Sequence, residues 1–121
     1  LSNLTEIALK QEIKDGYAQI LCTVDNGTPK LYDCRVKKRS SSYLSSVQNI
    51  TVTVTDKKLL ETTGGIVQGM SGSPILQNGK LIGAVTHVLI DDPTTGYGIF
   101  AENMLKTAQS VAETNKLKAA S

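Results

Sequence analysis

The chain is 121 residues long, 40% hydrophobic and 20% charged, which is one domain's length and too apolar for a disordered segment. A formal net charge of +2, with one Phe, four Tyr and no Trp, supplies neither the attraction nor the stacking surfaces that nucleic-acid binding uses, so no such partner is expected. No run reaches the ~18 apolar residues of a membrane span and no signal-peptide pattern opens the chain; with Leu1 rather than Met first, a processing or cloning boundary is expected there.

Residues 5–15 mix Ile7, Leu9 and Ile13 with charges and stop at Gly16, leaving a short helix or an extended arm open. Residues 17–24 and 31–38 are rich in strand formers and flank the turn-rich Asp25-Asn26-Gly27-Thr28-Pro29, the pattern of a β-hairpin. Such a hairpin sets Cys22 and Cys34 roughly opposite one another, near enough for a disulfide if the geometry permits; two buried thiols are the other reading. Their spacing fits neither a zinc site nor a redox pair, and no metal or cofactor is expected. The basic run Arg35-Val36-Lys37-Lys38-Arg39 falls where the strand ends and reads as a solvated loop.

After a serine-rich connection over 40–46, Ile50-Thr51-Val52-Thr53-Val54-Thr55 alternates apolar and hydroxyl residues with period two, one face on a core and one on a polar surface. Asp56 before Lys57-Lys58-Leu59-Leu60-Glu61 reads as an N-cap with one or two helical turns, closed by Gly64-Gly65. Strands at 73–77, 80–90 and 97–101 follow, the first two joined by the tight-turn dipeptide Asn78-Gly79. From Glu102 to Ala119, Met104, Leu105, Ala108, Val111 and Ala112 recur at helical spacing. The expected fold is all-β with a C-terminal helix: an N-terminal arm (1–16), a six-stranded antiparallel barrel (17–101) and a terminal helix (102–119) in one domain, closure removing exposed edges.

Chemistry concentrates in Gly69-Met70-Ser71-Gly72-Ser73-Pro74. A hydrolytic serine needs a base for its proton and donors for the oxyanion that forms. The glycines here permit a tight turn from which the Gly69 and Ser71 amides point to one spot beside the Ser71 hydroxyl. Alone, the tetrapeptide Gly69-Met70-Ser71-Gly72 is of a kind common in ordinary turns. The context is more specific, because Gly79-Lys80-Leu81-Ile82-Gly83-Ala84-Val85-Thr86 follows at the interval seen in chymotrypsin-like peptidases, which the region 64–115 resembles. The second barrel of such a peptidase is the fold this implies.

The finer resemblance is to the SpoIVB-type sporulation serine peptidases, carried by Thr63-Gly64-Gly65-Ile66-Val67-Gln68-Gly69-Met70-Ser71-Gly72-Ser73-Pro74-Ile75, then Gly83-Ala84-Val85-Thr86-His87-Val88, then Asp92-Pro93-Thr94-Thr95-Gly96-Tyr97-Gly98. The resemblance implies a serine endopeptidase acting outside the mother-cell cytoplasm, between the membranes around the forespore. Such an enzyme cleaves a membrane-associated regulator and also itself. Neither the anchoring segment nor the PDZ domain that precede the peptidase domain in that family is recognisable in these residues.

His87 is the one imidazole of the chain. The resemblance places Thr86 and His87 on the strand that binds substrate backbone and draws the catalytic histidine from the preceding half of the peptidase. A catalytic role for His87 itself is the other reading. The family's acid maps to Asp56, which the local reading makes a helix cap; both stand at this level. Asp91 and Asp92, beside Pro93, read as turn residues. The resemblance thus implies a nucleophile with its oxyanion amides but no base, inactive alone, whose partners are a protein or peptide substrate and the missing N-terminal half, with a homodimer as a further expectation. The competing class is a non-catalytic module that binds peptides by strand addition.

Overall fold

The computed structural model describes residues 6–24, 27–39, 48–65, 70–89 and 91–105. Six strands form where alternation or β-branched runs favour them: β1 (Gly16–Cys22), β2 (Lys30–Lys38), β3 (Ile50–Val54), β4 (Pro74–Gln77), β5 (Lys80–Val88) and β6 (Thr95–Phe100). All pairings are antiparallel, and the order β1-β2-β3-β6-β5-β4 closes into a barrel through Gln19–Leu76 and Ile20–Ile75. The expected all-β barrel with a C-terminal helix is the fold observed. The helix starts at residues 101–105; its expected continuation to 119 lies outside the described residues, as do the serine-rich connection over 40–46, Ile90, and Asp25 and Asn26 of the first turn.

The core follows from the strand period. In β3 every second residue is buried, so Ile50, Val52 and Val54 point inward while Thr51 and Thr53 meet the outer surface. Ile20, Cys34, Ile75, Ile82 and Val85 complete the filling, each burial of a branched aliphatic side chain contributing roughly 1.5–3 kcal/mol. Two glycines let neighbouring strands approach: a side chain at Gly83 would strike the Ile99 carbonyl, and one at Gly98 would meet the Ala84 oxygen at 2.8 Å. Asn78 and Gly79 both adopt positive φ, 53° and 78°, the conformation a two-residue hairpin turn requires.

Residues 5–15, left between helix and arm by the sequence, contain both. Ile7 forms a parallel bridge to Leu81, and a 3-10 turn spans Lys10–Glu12. Ile13 enters the core, and the Gln77 side chain holds the segment by accepting from the Lys14 amide at 3.0 Å and donating to the Lys14 and Tyr17 carbonyls at 2.8 and 2.9 Å.

Two expectations are corrected. The β1–β2 hairpin forms, but its register sets Cys34 opposite Ala18 and Cys22 opposite Lys30. The two sulfurs are therefore offset by four residues along the barrel, about 13 Å at strand rise, and both are free buried thiols. The basic run is also no loop: Arg35 and Lys37 are outward residues inside β2, Val36 between them is buried, and Arg39 stacks over the Tyr97 ring at 4.1 Å.

Candidate active site

Because the strands alternate in direction, one rim gathers the C-terminal ends of β1, β3 and β5 and the N-terminal ends of β2, β4 and β6. Three connections emerge there: residues 23–29 between β1 and β2, residues 55–73 between β3 and β4, and residues 89–94 between β5 and β6. Ser71, Asp56, Thr86 and His87 all belong to this rim. The opposite rim carries the Asn78-Gly79 turn and the N-terminal arm.

Ser71 sits in a tight turn closed by the Ser73 amide donating to the Met70 carbonyl at 2.9 Å. Gly72, third in the turn, has φ 91°, a value that glycine adopts without strain. The turn is fastened to β5, since the Gly72 amide donates to the Val85 carbonyl at 2.7 Å and the Val85 amide returns a bond to the Ser73 carbonyl at 3.0 Å. Met70 is buried beneath it while Ser71 is exposed. Among the described residues neither the Ser71 hydroxyl nor its amide N–H has a hydrogen-bond partner. Gly69, the second expected oxyanion donor, lies outside the described residues.

Asp56 is the N-cap of α1 (Lys57–Thr63), whose other end is closed by Gly64 in the left-handed conformation at φ 78°. Its Oδ1 accepts from the Lys58 and Leu59 amides at 3.0 and 3.1 Å, and its Oδ2 accepts from the Asp33 amide of β2 at 3.0 Å. The Asp33 carbonyl in turn accepts from the Thr55 and Asp56 amides. The Asp33 amide first, then those of Leu59 and Lys58 and the Lys58 charge, hold the Asp56 carboxyl below its ordinary range. The capping role is thus filled by geometry, with a long-range bond to β2 that sequence reasoning missed because nothing local signals it.

On β5 the pairing to β6 slips between Val85 and His87, so Thr86 is an extra residue in a β-bulge. In a regular strand Thr86 and His87 would point to opposite faces; here Thr86 Oγ1 and His87 Nδ1 lie 2.9 Å apart, and the Thr86 hydroxyl donates to the Tyr97 carbonyl at 3.3 Å. His87 is exposed and makes no hydrogen bond to Ser71 or Asp56. The structure therefore brings Ser71, Asp56 and His87 to one rim without joining them. β4 begins at Pro74 opposite Ala84, whereas β5 runs on to Val88. Residues 86–88 consequently border only β6 among the described strands.

Sequence reasoning also passed over how the last rim loop is tied down. Asp92 accepts from the Thr94 amide and from the hydroxyls of Thr94 and Thr95, which keeps its carboxyl below the ordinary range. The Pro93 carbonyl lies so close to Gly65 that no side chain fits there. Gly65, two residues past the end of α1, is thereby lodged against the 91–94 turn.

An exposed serine with free amide and hydroxyl, in a glycine turn seated on a closed barrel, is the arrangement in which a family assignment decides most. The family model for SpoIVB peptidase S55 matches residues 1–105. The chain belongs to the SpoIVB peptidase S55 family. The match includes every described residue from the arm through the start of the C-terminal helix, so barrel, turn and bulge all fall within the family's domain. Comparison with curated proteins and with solved structures finds no match.

Proposed function

We propose that this S55-family chain is the nucleophile-bearing half of a serine endopeptidase, with Ser71 as nucleophile and the Ser71 and Gly69 amides as oxyanion donors. The single observation that carries the reading is Ser71 itself: exposed, in a turn fixed to β5, with hydroxyl and amide both uncommitted among the described residues. In the reaction the Ser71 oxygen adds to the scissile carbonyl as a base removes its proton. The amides hold the resulting oxyanion, and collapse expels the amine and leaves an acyl-enzyme for water to cleave. The stretch at residues 86–88, where β5 runs past the start of β4, supports extended binding of substrate backbone beside Thr86 and His87.

His87 is the one histidine of the chain and has no bond to Ser71, which supports a base supplied by the preceding half of the peptidase. Asp56, with three backbone amides on its carboxylate, serves as a cap whether or not it also faces that histidine. Family membership supports the finer reading: extracytoplasmic action between the membranes around the forespore, cleavage of a membrane-associated regulator in sporulation signalling, and self-cleavage. An isolated chain would then be inactive and would pair with its complementary half, or with a second copy. For the non-catalytic alternative, peptide binding by strand addition, the closed barrel leaves no full-length free edge among the described strands, only the stretch at residues 86–88.

The test uses a fluorophosphonate probe and the full-length parent. The isolated chain is expected to label weakly at Ser71, and Ser71→Ala is expected to abolish cleavage by the parent while far-ultraviolet circular dichroism stays unchanged. Cleavage surviving Ser71→Ala would overturn the reading, and prompt stoichiometric labelling of the chain alone would move the base to His87.

A further inference from the structure

We propose that the outer face of β2 and β3 is a docking site for an extended acidic segment of a partner protein, with Arg35 and Lys37 each receiving a carboxylate. A hollow of about 370 Å³ opens there, lined by Asp15 and Gly16, by Arg35 and Lys37 of β2 and by Thr51 and Thr53 of β3. The strand period turns Arg35, Lys37, Thr51 and Thr53 outward, and pairing sets Arg35 beside Thr53 and Lys37 beside Thr51. Long cationic side chains thus stand next to short hydroxyl ones, which leaves the depression. A side chain at Gly16 would lie 4.0 Å from Arg35 Nη2, so the guanidinium is at the edge of the hollow.

Charge selects the occupant. Ion pairs among the described residues join Lys10 to Glu102 and Lys80 to Glu6 and Glu12, so Arg35 and Lys37 take part in none, although Asp15 lines the same hollow. Asp15 Oδ1 instead accepts from the Lys38 amide at 2.8 Å, and Asp33, the next outward residue along β2, accepts from the Tyr17 hydroxyl at 2.7 Å. Among the described residues two cations therefore face one carboxylate, and residues 40–47, which follow β2, include no Asp or Glu. Arg35 and Lys37 are two residues apart on one strand face, about 6.7 Å at strand rise, and alternate side chains of an extended peptide repeat at the same distance. Asp or Glu at every second position then meets both cations in register, with the Thr51 and Thr53 hydroxyls there to donate to the remaining oxygens. An anionic lipid surface fits less well: it engages clusters of about 4–8 Lys and Arg, and here only Arg39 extends the row, its guanidinium laid on the Tyr97 ring. Gly16 begins β1 and Lys38 ends β2, at the rim opposite Ser71, so the proposal does not depend on the peptidase reading.

The experiment uses the whole chain carrying Ser71→Ala, so that no peptide is cut in any arm, and three fluorescein-labelled peptides: alternating Thr and Glu, the same with Gln for Glu, and the same residues with the Glu gathered in one block. Fluorescence polarisation at low salt is expected to give about threefold to tenfold tighter binding of the alternating Glu peptide than of the Gln peptide, and tighter binding than of the block. The preference for Glu over Gln should fall toward unity at about 0.5 M salt and in Arg35→Gln/Lys37→Gln, but persist in Lys57→Gln/Lys58→Gln, which removes as much charge from α1 at the other rim. All four side chains are exposed, and Lys37→Glu alone supplies the same readout should the double variant lose its circular dichroism. Equal affinity for the alternating Glu peptide and either comparison peptide, no measurable binding, or a preference that survives loss of both cations would each overturn the proposal. Capture of phosphatidylglycerol vesicles by the chain but not by the Arg35→Gln/Lys37→Gln variant, with no preference among the peptides, would overturn it too and reassign the face to a membrane.

Discussion

Asp56 joins two levels of the structure with one carboxylate, capping α1 with Oδ1 and holding β2 through Oδ2. Asp56→Ala is expected to cost about 1–2 kcal/mol, from the lost cap and from the Asp33 amide left without its partner. The pH dependence has a definite sign. The folded carboxyl titrates below its ordinary value near 3.8, so its contribution is complete above that value and disappears as pH falls through the lower folded value. Urea unfolding of wild type and variant at pH 7 should therefore show a gap that closes under strong acid; a gap unchanged in acid would mean the carboxylate is not what the variant removed. The cap was legible in the sequence because it is local, with Asp56 just before Lys57-Lys58-Leu59. Its bond to Asp33, 23 residues earlier in the chain, was not, since no local pattern encodes which strand a helix start will touch. The cysteines carry a second prediction. Burial, with the Asp33 charge adding to it, pushes the Cys34 thiol up to about 12, and burial also raises Cys22. Iodoacetamide at pH 8 should alkylate neither quickly in the native chain and both in urea; fast native alkylation would contradict their place in the core.

Among the elements, β3 and the β4–β5 hairpin were readable at nearly residue accuracy: Ile50 to Thr55 alternates strictly, and Asn78-Gly79 specifies one turn. The β1–β2 hairpin was readable as an element but not in register, because its loop holds no two-residue turn signal and both strands place apolar residues on the inner face at several alignments. That shift is what separates the sulfurs. Strand contacts at glycine are equally silent in sequence. Gly83 packs its α-carbon against the Ile99 carbonyl, so Gly83→Ala must push β5 from β6. It is expected to destabilise the chain by about 2 kcal/mol or more, measured as a lower denaturation midpoint than that of an outward Thr51→Ala control. Equal midpoints would show the two strands able to spread at no cost.

For the whole molecule, strand count and terminal helix sufficed to imply closure, and the family resemblance singled out Ser71 as the candidate nucleophile. What sequence could not supply is the common rim: Asp56, Ser71, Thr86 and Lys30 are far apart in the chain and converge only because alternating strands return their ends to one side. The bulge at Thr86 was equally hidden, being a mismatch of pairing between two strands that each look regular alone. The short β4 beside the long β5 has one more consequence. Residues 86–88 run past the start of β4 and border only β6 among the described strands, the stretch proposed above to receive a substrate's main chain. On that proposal, choice among substrates falls to the surrounding loops, and exchanging residues in those loops should redirect recognition while the cylinder beneath them stays as it is.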